Sequence, residues 1–271
     1  MNGEAVKRIE AFIESGNYPR LKQIEKDMKL LTTEMRGFLE SSEIKRHEFP
    51  KYQLVARFTA KKIYKTDTQG LNEYLFDIGL LPYVVGIDQT RLAQNQDLYE
   101  QLQDFRLPDR FYVKANFNKE YKRFQAEFFP SYIQSEHMEL EDIVRNLAHL
   151  KKEKKVLTQQ YNQLKKDLMK LPEIQHVMKL PSEERKSLHH KYGSLSIQSY
   201  PKKYDSFQIF NQLKENILIK YGKPKLQQLE QFSRNGLISE RDLNQYRVLT
   251  DIRLDFSVIT MDDEKKILSV I

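Results

Sequence analysis

A seven-residue apolar repeat runs from Leu140 to Leu171, and it limits what this chain can fold into more than any other feature. One register reads Leu140, Leu147, Lys154, Tyr161 and Leu168; the other reads Ile143, Leu150, Leu157, Leu164 and Leu171. Apolar residues at alternating three- and four-residue steps place a narrow greasy seam on one side of a helix. Such a seam must be covered, by this chain, by a second copy or by a partner helix. Lys154 is its one cationic interruption. A buried ammonium is costly unless it snorkels or meets a carboxylate, and such residues often fix register or oligomer state. A second stripe, Leu21, Ile24, Met28, Leu31, Met35 and Phe38, lies on a helix expected over about 19–41. The two stripes predict a helical hairpin or bundle.

The pattern changes between them. Tyr52, Leu54, Ala56, Phe58 and Ala60 alternate with Gln53, Val55, Arg57, Thr59 and Lys61 and predict a half-buried strand. Phe111, Val113, Ala115 and Phe117 predict a second. Val248, Thr250, Ile252, Leu254, Phe256 and Val258 predict the clearest strand of all, expected to join the other two. Thr66 or Asp67, Asp88, Asn118, Asp205 or Ser206, and Thr260 stand where helix caps are needed. Pro172 ends the seam helix, which is expected to open at Ser135 and to span roughly 50 Å. Gly193 is expected to terminate a short helix begun at Pro181. The helix capped by Asp205 or Ser206 is expected to run through Phe210, Leu213 and Ile217 to Gly222.

The fold class expected is therefore α+β and predominantly helical. A long coiled-coil-like hairpin or bundle is joined by a small antiparallel or mixed β-sheet. Four consecutive segments follow: N-terminal helices (1–48), a small α+β unit (49–134), the heptad helix (135–172), and a basic helical segment with a terminal strand and helix (173–271).

Composition narrows the function. The chain has no cysteine, which removes disulfides, thiolate metal sites, iron–sulfur clusters and cysteine nucleophiles together. No run of about eighteen apolar residues occurs, and residues 1–14 carry no apolar signal core, so a cytoplasmic protein without a membrane partner is expected. Neither a phosphate-cradling glycine loop nor a G-x-S-x-G elbow is present. His47, His137, His149, His176, His189 and His190 show no metal-ligand spacing and are expected at the surface.

The net charge of +7 is concentrated between Lys179 and Lys225, where ten basic side chains face four acidic ones. Such a field favours an anionic partner, nucleic acid or an acidic protein. Tyr200, Lys202, Lys203 and Tyr204 mix rings with cations in an expected loop, and Lys220, Lys223 and Lys225 extend the patch. Rings stack on unpaired bases while lysines neutralise phosphates. Lys119, Tyr121, Lys122, Arg123 and Phe124 form a weaker cluster of the same kind.

Pro108-Asp109, ten residues, then Glu120-Tyr121-Lys122 has the literal spacing of a nuclease centre. Over these fifteen residues the chain resembles the PD-(D/E)xK nucleases. That resemblance implies two carboxylates, Asp109 and Glu120, holding Mg²⁺ while Lys122 polarises the attacking water. In the family the acid and the E-x-K motif lie on neighbouring strands; here Asn118 opens a helix before Glu120.

The expected function is a non-enzymatic interaction or adaptor protein, working through the seam and offering its basic surface to nucleic acid or an acidic protein. No cofactor is expected. A Mg²⁺-dependent nuclease is the enzymatic alternative, and a structural subunit of a phage or mobile-element assembly is a third.

Overall fold

The computed structural model describes residues 3–130 and 138–269. The helices are α1 (Glu4–Glu14), α2 (Asn17–Glu40), α3 (Thr68–Asp77), α4 (Leu81–Val84), α5 (Gln89–Leu92), α6 (Gln96–Gln101), α7 (Lys119–Phe128), α8 (Leu140–Met169), α9 (Pro172–Lys179), α10 (Ser206–Leu213), α11 (Glu215–Tyr221), α12 (Leu226–Arg234), α13 (Glu240–Gln245) and α14 (Met261–Leu268). The strands are β1 (Arg46–Phe49), β2 (Leu54–Thr66), β3 (Val85–Ile87), β4 (Phe111–Phe117), β5 (Leu188–His190), β6 (Gly193–Ser199), β7 (Gly222–Pro224) and β8 (Arg247–Thr260). The protein is thus α+β and predominantly helical, with small sheets in the orders β1-β2-β8, β3-β7 and β4-β6-β5. Among the described residues no helix is long and apolar enough to cross a membrane.

The chain forms two compact units. One comprises Met1–Ala60, Phe111–Gln198 and Leu254–Ile271; the other comprises Lys61–Arg110 and Ser199–Arg253. The segments 49–134 and 173–271 expected from sequence are each divided between the two. The reason is strand pairing between distant parts of the chain. β2 pairs with β8, almost two hundred residues later, and β3 pairs with β7.

In the first unit α8 lies along α2. Ile143, Val144, Leu147, Leu150 and Leu157 pack with Leu21, Ile24, Leu31, Met35 and Leu39, while Leu54, Ala56, Phe58 and Val258 close the cluster from β2 and β8. Tyr18 meets Tyr161 with tilted rings, centroids 5.1 Å apart, and Glu25 approaches Lys154 at 3.8 Å. Moving seven residues up α2 moves the partner seven residues down α8, so the helices are antiparallel. Arg20 grips Glu153 with two hydrogen bonds of 2.7 Å and holds that pairing. Lys154 is half-buried beside Glu25, one route by which a cation is tolerated in a seam.

A second cluster covers the far end of the seam. Leu168 is buried among Ile9, Ile13, Tyr18, Val113, Tyr121, Ile174 and Leu195, with Leu164 and Leu171 packed on its margin. Leu140 and Tyr161 are also partly buried, Leu140 on the first cluster and Tyr161 against both. The expected start at Ser135 lies outside the described residues, as does His137; the observed helix begins at Leu140, after Glu139.

Several expectations need correction. Phe38 does not face the seam: it is 52% exposed, and Leu39 is buried instead. A straight helix gains about 3.6 residues per turn rather than 3.5, so the inward position moves on by one within the stripe. The terminal strand β8 joins β2, but β4 belongs to a separate sheet. Gly193 does not end a helix. It starts β6 at φ +148°, after the hairpin strand β5, and a Cβ there would lie 1.9 Å from the Asn116 carbonyl oxygen. The helix over 206–221 is broken at Lys214, whose φ is 68°. His190 is buried rather than exposed, and burial lowers its pKa while Nδ1 accepts from the Tyr192 N–H at 3.3 Å. Val248, Ile252 and Leu254, on one face of the alternation expected over 248–258, are exposed, as is Leu249 on the other.

The second unit has its own core. Leu71, Leu75, Leu81, Val85, Leu102, Ile209, Leu218, Leu229 and Leu243 are buried together. Asn72 is fully buried among them and donates to the carbonyls of Leu218, Ile219 and Gly222 at 3.0–3.2 Å. Those carbonyls lie at the end of α11, where helical partners run out, so one side chain caps α11 and fixes the start of β7.

Truncating a side chain of the seam tests this packing. Ile143→Ala and Leu39→Ala should each cost about 2–5 kcal/mol, read as a lower urea midpoint. Phe38→Ala should stay within about 0.5 kcal/mol. Gly193→Ala should cost at least about 2 kcal/mol, with early loss of amide protection in β5 and β6.

Candidate nucleic-acid interface

The basic residues expected to act as one patch are divided. Lys179, Arg185, Lys186 and Lys191 fall in the first unit; Lys202, Lys203, Lys214, Lys220, Lys223 and Lys225 fall in the second. Two of the former already have local roles. Lys191 lies 3.7 Å from Glu14, and Arg185 donates to the Leu180 carbonyl while covering the Phe111 ring.

In the second unit the cations gather around a cleft of about 980 Å³. Its wall is a ladder of two extended segments. Asp205 N–H donates to Phe105 O, Leu107 N–H to Lys203 O, and Tyr200 N–H to Arg110 O, at 2.8–2.9 Å. Its floor is the end of β3 and the first turn after it, Ile87–Thr90. β7 runs antiparallel to β3, with Lys223 opposite Gly86, and brings the Lys223 side chain to the rim. Gln89 donates to the Lys202 carbonyl and ties floor to wall.

The acids of this cleft are occupied locally. Asp88 caps α5, accepting from Thr90 N–H at 2.9 Å and Arg91 N–H at 3.4 Å. Asp109 pairs with Arg106. By contrast Arg110, Lys203 and Lys223 form no ion pair among the described residues; Arg110 instead lies over the Tyr200 ring, 5.5 Å from its centroid. The cleft therefore presents a net positive face.

The expected binding residues separate into three groups. Tyr200, Lys203 and Lys223 line the cleft, and Lys225 adjoins it. Lys202 also lines it, but its ammonium donates to the Tyr99 hydroxyl at 2.6 Å and holds that phenol below the ordinary tyrosine range. Lys220 is exposed on α11, over the Tyr221 ring, and Arg91 donates to its carbonyl at 3.2 Å. Tyr204 is the correction. It is only 7% exposed and belongs to the core, so its ring is not available for stacking. Its alternation with Lys203 turned it inward at the Arg106–Tyr204 bridge.

Two rings were not anticipated. Tyr83 is 52% exposed and Phe207 43% exposed, and they meet edge to face with centroids 4.6 Å apart. Lys225 Nζ reaches the Tyr83 carbonyl at 3.4 Å, and burial followed by the charge of Lys203 lowers its pKa. The signal in the sequence was slight: Phe207 stands two residues before buried Ile209, off the stripe of its own helix.

The nuclease residues do not gather in one unit. Asp109 belongs to the second unit, Glu120 and Lys122 to the first. Glu120 pairs with Arg123 at 3.0 Å within α7, and Lys122, two positions later, is exposed on another side of that helix. Among the described residues no group of three or more His, Asp or Glu is placed to hold a metal ion. No protein-family model matches the chain, and no curated protein or solved structure matches it either.

Lys225 gives a test of the cleft's electrostatics. Its folded pKa lies below the unfolded value, so folding disfavours the charged form until pH rises through the folded value. Lys225→Met should therefore raise the urea midpoint at neutral pH. The gain should stay below about 1 kcal/mol because solvent screens the group. It should shrink as pH climbs towards the ordinary lysine range.

Proposed function

We propose that this protein is a non-enzymatic interaction protein that holds nucleic acid in the basic cleft of its second unit. The observation that carries the reading is an imbalance of partners. Arg110, Lys203 and Lys223 face the cleft without ion pairs among the described residues, while Asp88 and Asp109 are engaged by Thr90, Arg91 and Arg106. Cations clustered without counter-ions raise the local positive potential, and a polyphosphate relieves it by releasing its own condensed counter-ions. The first unit serves in this reading as a frame, with α2 and α8 as a coiled-coil-like pair inside one chain. We take the protein to work in the cytoplasm, where nucleic acid is accessible.

Fluorescence anisotropy with a labelled oligonucleotide at low salt tests the proposal. The parent protein should bind, with affinity falling steeply as salt rises. Lys203→Glu with Lys223→Glu should weaken binding at least tenfold and reduce the slope of log affinity against log salt by about 1–2. Absence of binding by the parent at low salt would overturn the reading.

A further inference from the structure

On the nucleic-acid reading above, we infer that this surface selects single strands over duplex through the rings of Tyr83, Phe207 and Tyr200. Three exposed rings stand beside unpaired cations within one unit. Tyr83 and Phe207 form an edge-to-face pair, and Tyr200 is 46% exposed with Arg110 across its ring. Rings that serve only to pin a loop are covered by what they pin. Tyr204, at 7% exposure in the core, and Tyr99, under the Lys202 ammonium, are of that kind. Tyr83 and Phe207 leave much of their area in water, where it contributes little to holding the unit together.

Position links rings to phosphate sites. Tyr83 ends two residues before β3, and Ile87, at the other end of β3, lines the cleft. The ring pair and the Tyr200–Arg110 stack therefore lie towards opposite ends of a three-residue strand. Lys225 stands at the first end, its Nζ 3.4 Å from the Tyr83 carbonyl and its stem against Gly86 of β3, opposite which Lys223 of the cleft is paired. A cationic track thus joins two ring platforms.

The chemistry distinguishes the two forms of nucleic acid. Every base has a face that can stack on a ring, but in a duplex those faces are covered by neighbouring base pairs. A duplex can use the lysines and not the rings. An unpaired strand can use both, with a base on Tyr200 or on the Tyr83–Phe207 pair and its phosphates on Lys203, Lys223 and Lys225. The cleft, at about 980 Å³, has the size of a pocket for small groups, which suits a nucleotide and not a double helix.

Competition between a short oligothymidine and a duplex of the same length, at one salt concentration, tests the inference. The parent should prefer the single strand by at least tenfold. Tyr83→Ala with Phe207→Ala should weaken single-strand binding about tenfold to a hundredfold, leaving the salt slope and the duplex affinity unchanged. Tyr83→Leu with Phe207→Leu keeps apolar bulk and removes the ring faces; it should show the same loss, and it decides the matter if the alanine pair lowers stability. Equal affinity of the parent for strand and duplex, or full single-strand affinity in the leucine pair, would overturn the inference while leaving nucleic-acid binding intact. Failure of both probes to bind at low salt would overturn the proposed function itself.

Discussion

The burial of α8's apolar stripe against α2 is the constraint on which the first unit depends. A helix of thirty residues is about 45 Å long, and its seam is longer than one small cluster can cover. The protein divides the task. Ile143 to Leu157 enter a cluster with α2, β2 and β8, while Leu168 enters another with α1, α9, β4 and β6. Tyr161 packs against both. The ion pair between Arg20 and Glu153, together with Glu25 beside Lys154, adds register to a contact that hydrophobic area alone leaves non-directional.

The second unit obeys a different economy. Its core is a set of short helices around Leu71, Val85, Ile209 and Leu218, locked by the buried amide of Asn72. That interior already contains Phe105 and Tyr204, so stability does not require Tyr83, Phe207 or Tyr200 to be covered. Cations gather where the acids are engaged by neighbouring groups, and the Lys225 pKa is lowered by burial first and by the charge of Lys203 second. Features that fail to stabilise a fold, and persist beside one another, are where activity and stability commonly trade.

Periodicity carried most of what was legible. The seven-residue repeat located α8 and its antiparallel companion because both faces must be dry. The period-two runs located β2, β4 and β8, although β8 is buried only towards its end, at Val258. Asp88, Asn118 and Thr260 hold backbone N–H groups as their residue types suggest, and of the two open choices Asp67 rather than Thr66 and Asp205 rather than Ser206 are the caps. Non-local pairing was not legible. Nothing in residues 111–117 says that their neighbour is β6 rather than β8, and nothing in residues 54–66 says that they leave one unit for the other. The basic patch was half legible. Charge along the chain found Lys203, Lys223 and Lys225, but it counted Lys179 to Lys191 with them although these fold into the other unit. Tyr204 and Lys203 are adjacent, yet one enters the core and the other faces water, a distinction set by the bridge to Arg106.

Each unit is assembled from pieces far apart in the chain, and this affects how a ribosome can deliver it. The sheet holding β2 is incomplete until β8 has been made, and β3 waits for β7. From Ala60 to Leu254, elongation at about 5–20 residues per second takes roughly 10–40 s. During that interval the greasy faces of α2 and β2 have no complete shelter. The second unit has all of its segments once Arg253 is made, while the first still waits for the stretch from Leu254 onwards, so the unit that is begun first is finished last.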